Sequence, residues 1–248
     1  MTAAPVLRTE GLGKSFGGFV ALSQLTLDIV EGEVRGIIGP NGAGKTTLFN
    51  LISGHLKPSA GAVFYRGEAI TGLAPHAVAR RGVARKFQVA QIFATLSAEE
   101  NVTVAAFQTG SPSILGLLRP RPVRVLVDAT LERVRLSDRR AIEAASLSHG
   151  EQQRLELAMV LASGARLLLL DEPTAGMSSE ERAVMAQVIK DISATRTVVI
   201  IEHDFTFIKT VADRVTVLNN GAKLAEGTLD AIENDAAVRE CYLGPDDA

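Results

Sequence analysis

Apolar and polar residues alternate over Val6–Phe16 and again over Val20–Ile29, as in Leu25-Thr26-Leu27-Asp28-Ile29. A period of two marks strands with one buried face, and Gly17-Gly18 between them supplies the turn of an antiparallel pair. Gly32-Glu33 then turns into a mostly apolar run, Val34–Ile38. Ala62–Tyr65 predicts a further strand closed by Arg66-Gly67, and Val83–Phe87 another. Pro75 suits the first position of a short helix ending near Gly82. Ser97 and Glu100 form a capping box for a helix through Val104. Thr109–Val123 carries Pro112, Pro120 and Pro122 and reads as a surface loop between helices. Its neighbouring arginines Arg119, Arg121 and Arg124 suit a solvated surface better than a binding patch. A helical pattern resumes over Pro122–Val134.

Beyond Gly150 the pattern predicts a helix to about Ala162, a strand at Leu167–Leu170, a helix at Glu180–Ile192, a strand at Thr197–Ile201 and a helix at Phe205–Val211. Val215–Leu218 and Lys223–Glu226 flank the Asn219-Asn220-Gly221 turn as a hairpin. Strands alternating with helices predict an α/β fold: a mostly parallel sheet with helices on both faces.

Composition narrows the classes. With 248 residues, 46% of them hydrophobic, the chain can form one large α/β domain or two small ones. A formal charge of −2 argues against nucleic acid as the main partner. The single Cys241 cannot form an internal disulfide and suits a reducing compartment. No apolar run reaches the roughly 18 residues of a membrane span, and Met1–Glu10 lacks the pattern of a secretory signal. These features predict a cytoplasmic chain that meets a membrane only through a partner.

The sharpest chemistry lies in Gly39-Pro40-Asn41-Gly42-Ala43-Gly44-Lys45-Thr46-Thr47. In such a loop backbone N–H groups converge on phosphate oxygens, Lys45 adds charge near the β- and γ-phosphates, and the Thr46 hydroxyl can ligate Mg²⁺. Gly39, Gly42 and Gly44 permit close approach of backbone to anion, and the following helix presents its positive end to it. A second constellation is Leu167-Leu168-Leu169-Leu170-Asp171-Glu172, a buried-strand pattern whose carboxyl end faces a ligand crevice. There Asp171 can hold Mg²⁺ and Glu172 can polarise an attacking water. A third is Leu147-Ser148-His149-Gly150-Glu151-Gln152-Gln153, before a helix with Leu155, Ala158, Met159 and Ala162 on one face. Ser148 and Glu151 fit a capping box, while Ser148, Gly150 and the free helix N–H groups equally fit an anion site. Physics alone leaves both readings open.

The third segment resembles the Leu-Ser-Gly-Gly-Gln signature of ATP-binding-cassette (ABC) ATPases, and the phosphate loop and acidic strand end stand before and after it in that family's order. The resemblance covers essentially the whole chain. It implies a single P-loop domain of the ABC ATPase type over 1–248, with an N-terminal antiparallel β subdomain, a helical subdomain at about 89–163, and a C-terminal hairpin and helix at about 213–243. It implies ATP and Mg²⁺ as cofactors. Gln88, after Arg85-Lys86-Phe87, matches the family's glutamine that contacts Mg²⁺ and water, and His203 matches the histidine that contacts the γ-phosphate. Phe16 stands where the family stacks a ring on adenine, with Val20 nearby; Phe16 also fits a core position. Ser148, Gly150 and Glu151 would meet the nucleotide of a second subunit.

The resemblance sharpens toward ATPase subunits of branched-chain amino acid and urea or amide importers. Arg85-Lys86-Phe87-Gln88 with Ile92-Phe93, Ala175-Gly176-Met177, and the tail Val238-Arg239-Glu240-Cys241-Tyr242-Leu243-Gly244 carry it. Two positions depart from the broader family: His149 replaces a common Gly and is expected to point away from the phosphates, and Ser178 replaces a common Asp that bridges subunits. The implied machine is a head-to-tail dimer, homo- or heteromeric, with two ATP molecules at its interface. It would drive a transmembrane permease through Gln88–Phe107, where Val89, Ile92, Phe93 and Leu96 are displayed, and act indirectly with an extracytoplasmic solute-binding protein. A soluble scaffold ATPase of the iron–sulfur assembly type shares the core motifs and is the alternative.

Overall fold

The computed structural model of the chain describes residues 4–86, 92–107 and 120–243. The two alternating segments pair as antiparallel strands β1 (Pro5–Phe16) and β2 (Phe19–Val30), with Phe16 opposite Phe19 across the Gly17-Gly18 turn. Strand β4 (Ala60–Tyr65) lines the other side of β1, and the two-residue β5 (Glu68–Ala69) closes this sheet in the order β2-β1-β4-β5.

The second sheet has six strands. Strands β3 (Val34–Ile38), β6 (Val83–Lys86), β7 (Leu167–Asp171), β8 (Thr197–Ile201), β9 (Arg214–Asn219) and β10 (Ala222–Gly227) run in the order β10-β9-β3-β8-β7-β6. All neighbours are parallel except the β9–β10 hairpin. Every residue of β3, β7 and β8 is buried, as central parallel strands require. Arg35 sits inside β3 because its charge is fully matched. It meets Glu33 at 2.5 Å and Glu226 at 3.0 Å, and donates to Thr216 Oγ1 and to Asp28 O, which ties the two sheets together.

Helices cover both faces. On one side lie α1 (Lys45–Ile52) and α2 (Pro75–Arg80), packed with the first sheet. On the other lie α3 (Ala98–Phe107), α4 (Pro120–Arg133), α5 (His149–Ala162), α6 (Ser179–Ser193), α7 (Phe205–Val211), α8 (Leu229–Glu233) and α9 (Ala236–Leu243). The period of two along β7 divides the core: Leu168 and Leu170 face the α5–α6 side, Leu167 and Leu169 the α1 side. Val102, Leu131 and Leu155 join α3, α4 and α5 into one apolar unit continuous with the first of these cores.

Several elements differ from expectation. The Ser97 box is present, with Ser97 N–H on Glu100 and Glu100 N–H on Ser97 Oγ, but its helix continues to Phe107. Helix α4 starts at Pro120, so the end of the predicted loop is helix; proline is tolerated in a first turn, where the N–H has no intrahelical acceptor. Residues 108–119 lie outside the described residues, as does Phe87, the predicted end of β6. On α5, Leu155, Ala158 and Ala162 are buried and Met159 partly so. The tail holds two short helices: Thr228 caps α8, and the Asp235 carboxylate accepts from Ala237 and Val238 at the start of α9.

Candidate functional site

Strand β3 ends at the loop Gly39–Gly44, and α1 starts directly from it. The N-cap of α1 is Gly44, with φ 98° and no side-chain cap, whereas α5, α6, α7 and α8 are capped by Ser148, Ser178, Asp204 and Thr228. The first N–H groups of α1 are thus left to an external acceptor, the arrangement that suits an anion. Asn41, Gly42 and Thr46 are exposed, Thr47 is half-buried and Ala43 buried. Two of the glycines are required by packing as well as by anion approach. A Cβ on Gly39 would sit 2.2 Å from Leu218 O, and one on Gly44 2.6 Å from Ala21 O. Neighbouring backbone, as well as any ligand, demands glycine there.

Lys45 is buried and folds back on the loop, donating to Gly39 O at 2.6 Å and Pro40 O at 3.0 Å. Burial pushes its pKa below the ordinary lysine value, while the carboxylates of Glu172 and Asp171 act in the opposite direction. Asp171 ends β7 and is buried. Arg85 of β6 donates to Asp171 Oδ2 at 2.6 Å and to Asn50 Oδ1 at 2.5 Å, with its guanidinium over the Phe49 ring. Glu172 then turns the chain with φ 46°, a left-handed conformation that is uncommon outside glycine and clusters at functional sites. Its N–H is held by Ile201 O of β8. At the end of β8, His203 Nδ1 lies 3.8 Å from Glu172 Oε1. The preceding Glu202 is buried and accepts both the N–H and the hydroxyl of Thr174. Asp171, Glu172 and His203 therefore gather at neighbouring strand ends, with the two carboxylates within electrostatic reach of Lys45.

Phe16 and Val20 are about half exposed at the tip of the β1–β2 hairpin, which removes the core alternative for Phe16. Lys14 Nζ lies 5.0 Å from the Phe16 ring. Phe19, at 64% exposure, stands opposite Phe16 at the same tip, one residue before the alternation that begins at Val20. The close approach of Ala21 O to Gly44 sets this hairpin beside the loop.

At the start of α5 the capping box is complete: Glu151 N–H meets Ser148 Oγ, and the Glu151 carboxylate meets Ser148 N–H and Arg139. The Glu151 side chain is thus committed to the cap. Ser148 Oγ and Gly150 N–H both point to Glu181 of α6. His149 Nε2 lies 2.9 Å from Ala175 O, turned toward the loop before α6. Ser178 serves as the N-cap of α6. Gln88 lies outside the described residues. Among the described residues no group of three or more His, Cys, Asp or Glu is placed to hold a metal alone. Mg²⁺ needs only one or two protein ligands beside phosphate and water, so Thr46 and Asp171 fit its donor chemistry. No described helix is long and apolar enough to cross a membrane.

A glycine-bounded loop opening into an uncapped helix, with an acidic strand end and a histidine beside it, defines a P-loop nucleotide-binding domain. Residues 22–175 match the family model described as ABC transporter. The chain is 36% identical over 250 residues to the high-affinity branched-chain amino acid transport ATP-binding protein BraF of Pseudomonas aeruginosa, covering 97% of this chain and 98% of that protein. It superposes on the ADP conformation of MJ1267, an ATP-binding cassette of an ABC transporter, with a TM-score of 0.86 and 30% identity, covering 98% and 100% of the two chains. The dimeric post-hydrolysis state of the cassette MJ0796, bound to ADP and Pi, gives a TM-score of 0.77 at 25% identity, covering 90% and 98%. The chain belongs to the ABC transporter family as its ATP-binding, ATP-hydrolysing domain.

Proposed function

We propose that this chain is the ATPase subunit of a branched-chain amino acid importer, one of two cassettes that clasp two ATP molecules between them. The observation that carries the two-chain reading is likeness to the dimeric cassette MJ0796 bound to ADP and Pi, and the α5 end adds a second set of anion donors, Ser148 Oγ and Gly150 N–H, to the uncapped N–H groups of α1 beside Lys45. Likeness to BraF along nearly the whole chain favours branched-chain amino acids over urea or amides as cargo. In this reading Asn41–Thr47 hold the phosphates, Phe16 and Val20 flank the adenine, and Ser148 and Gly150, with Glu151 bracing them, engage the partner's nucleotide. Thr46, Asp171 and Gln88 would hold Mg²⁺, which neutralises phosphate charge when bound. Glu172 accepts a proton from the attacking water as the bond between the γ-phosphorus and the ADP oxygen breaks, and His203 contacts the γ-phosphate.

The chain would sit on the inner face of the membrane through a permease fed by an extracytoplasmic binding protein. Exposed Phe93 marks the docking face, and a cleft of about 370 Å³ lined by His55, His76, Arg85 and Met159 opens beside α3 and α5. The test is Glu172→Gln: the variant should double in mass with ATP and not with ADP. A monomer at saturating ATP overturns the two-chain reading.

A further inference from the structure

The α5 end is engaged from within the chain. Glu181 Oε1 accepts from Ser148 Oγ at 3.1 Å and from Gly150 N–H at 3.2 Å, while Oε2 accepts from Ser178 N–H at 3.0 Å. The fit is close: a Cβ on Gly150 would lie 2.4 Å from Glu181 Oε1 and 2.6 Å from its carboxyl carbon. Glycine at 150 therefore lets a carboxylate lie against the helix end. The bond from Ser178 N–H, with those from Ser148 and Gly150, holds Glu181 below the usual carboxylate range, so it is ionised at neutral pH. His149, through Ala175 O, makes a second tie between the same two segments. Both departures from the broader family, His149 and Ser178, thus belong to one intramolecular junction.

A hydroxyl and an N–H at a helix terminus form one set of anion donors. A carboxylate and a phosphate cannot both take them, because like charges at that distance repel and the donors are few. We propose that Glu181 is a built-in stand-in for phosphate, a latch that must release the α5 end before it can engage the nucleotide of a second chain. The latch sets the ATP concentration at which two chains close. It rests on the two-chain reading above and adds a regulatory residue to it.

The latch is half exposed, so its net strength is that of one or two modest hydrogen bonds. Neutralising it should ease closure about three- to tenfold. The experiment titrates ATP against dimer mass in the Glu172→Gln chain and in the same chain carrying Glu181→Gln or Ser178→Ala. Glu181→Gln keeps size and cap geometry and removes the charge. Ser178→Ala removes the hydroxyl that caps Glu181 N–H and leaves the bonds from Ser148 and Gly150.

The expected result is a midpoint three- to tenfold lower for Glu181→Gln and within about twofold of the parent for Ser178→Ala. An unchanged or raised midpoint for Glu181→Gln overturns the latch while the parent still dimerises. A parent that never dimerises overturns the two-chain reading instead. If Glu181→Gln melts well below the parent, Glu181→Asp serves, its carboxylate one methylene short of Ser148; a midpoint that does not fall then overturns the latch.

Discussion

Arg85 and Asp171, 86 residues apart in sequence, meet through a 2.6 Å hydrogen bond that joins the ends of β6 and β7. Both side chains are less than a tenth exposed. The pair positions the carboxylate proposed to hold Mg²⁺, and Arg85 also lines the cleft beside α3 and α5. Removing one partner of a buried pair leaves the other charged and desolvated, which costs about 3–5 kcal/mol. Arg85→Ala should therefore lower unfolding free energy by about 3 kcal/mol in a denaturant titration. Arg85→Lys should recover part of it, because an ammonium can reach Asp171 or Asn50 but lacks the fork that reaches both.

Lys45 poses a trade of stability against binding. Its pKa is lowered by burial, against the pull of Glu172 and Asp171. Between that lowered pKa and the ordinary value of 10.5 the folded chain binds fewer protons than the unfolded one, so stability rises with pH across the window. Below the window the buried ammonium is a net cost. Lys45→Met should accordingly melt higher than the parent at pH 7 without nucleotide, with the gap closing as pH rises toward 10.5. The same variant should bind ATP about 10- to 100-fold more weakly by calorimetry, since it would lose the charge-assisted contact to phosphate proposed for Lys45. A lower melting temperature at pH 7 would refute the stability half.

Neighbouring residues at the end of β8 should separate cleanly in experiment. His203 is 66% exposed and Glu202 only 1%, the latter holding Thr174 through two hydrogen bonds. His203→Ala should leave the melting temperature within about 2 °C of the parent, as exposed substitutions do. Its kcat should nonetheless fall about 100-fold, a typical loss for a group that acts in the transition state. Glu202→Ala should do the reverse at the level of folding, costing about 1–3 kcal/mol by leaving the Thr174 donors unmatched. Steady-state ATPase assays beside thermal melts check both.

The elements that were legible in the sequence are those set by local pattern. Leu167–Leu170 is a continuous apolar run and became a strand buried on both faces; Leu25–Ile29 alternates and became a strand buried on one. The phosphate loop was legible because Gly, Lys and Thr at fixed spacing have one well-understood geometry. Pairings across long sequence distances were not. Nothing near Ser148 signals Glu181, 33 residues on, whose own spacing to Ser178 reads only as a capping box. Arg35 inside an apolar run and Lys86 beside Glu156 are charges that burial would forbid without partners supplied by distant strands and helices. Helix α4 was placed two residues late because Pro120 and Pro122 look like loop residues until a first turn accommodates them.

Phe93 gives the sharpest test of coupling to a permease. Its backbone is fixed from both sides by Asn101, whose side chain is fully buried: Phe93 N–H donates to Asn101 Oδ1 at 2.7 Å, and Asn101 Nδ2 donates to Phe93 O at 3.0 Å. A backbone so held carries its ring into solvent at 46% exposure, where burial cannot be the reason for an aromatic residue. Ile92, one position earlier, packs against the core instead. Phe93→Asp should therefore abolish uptake in cells while the isolated chain keeps its melting temperature and basal ATPase rate. Ile92→Asp should lower the melting temperature and reduce both activities together, because a carboxylate is forced against apolar neighbours. Were Phe93→Asp to transport at the parent rate, the docking face would have to lie elsewhere on the chain.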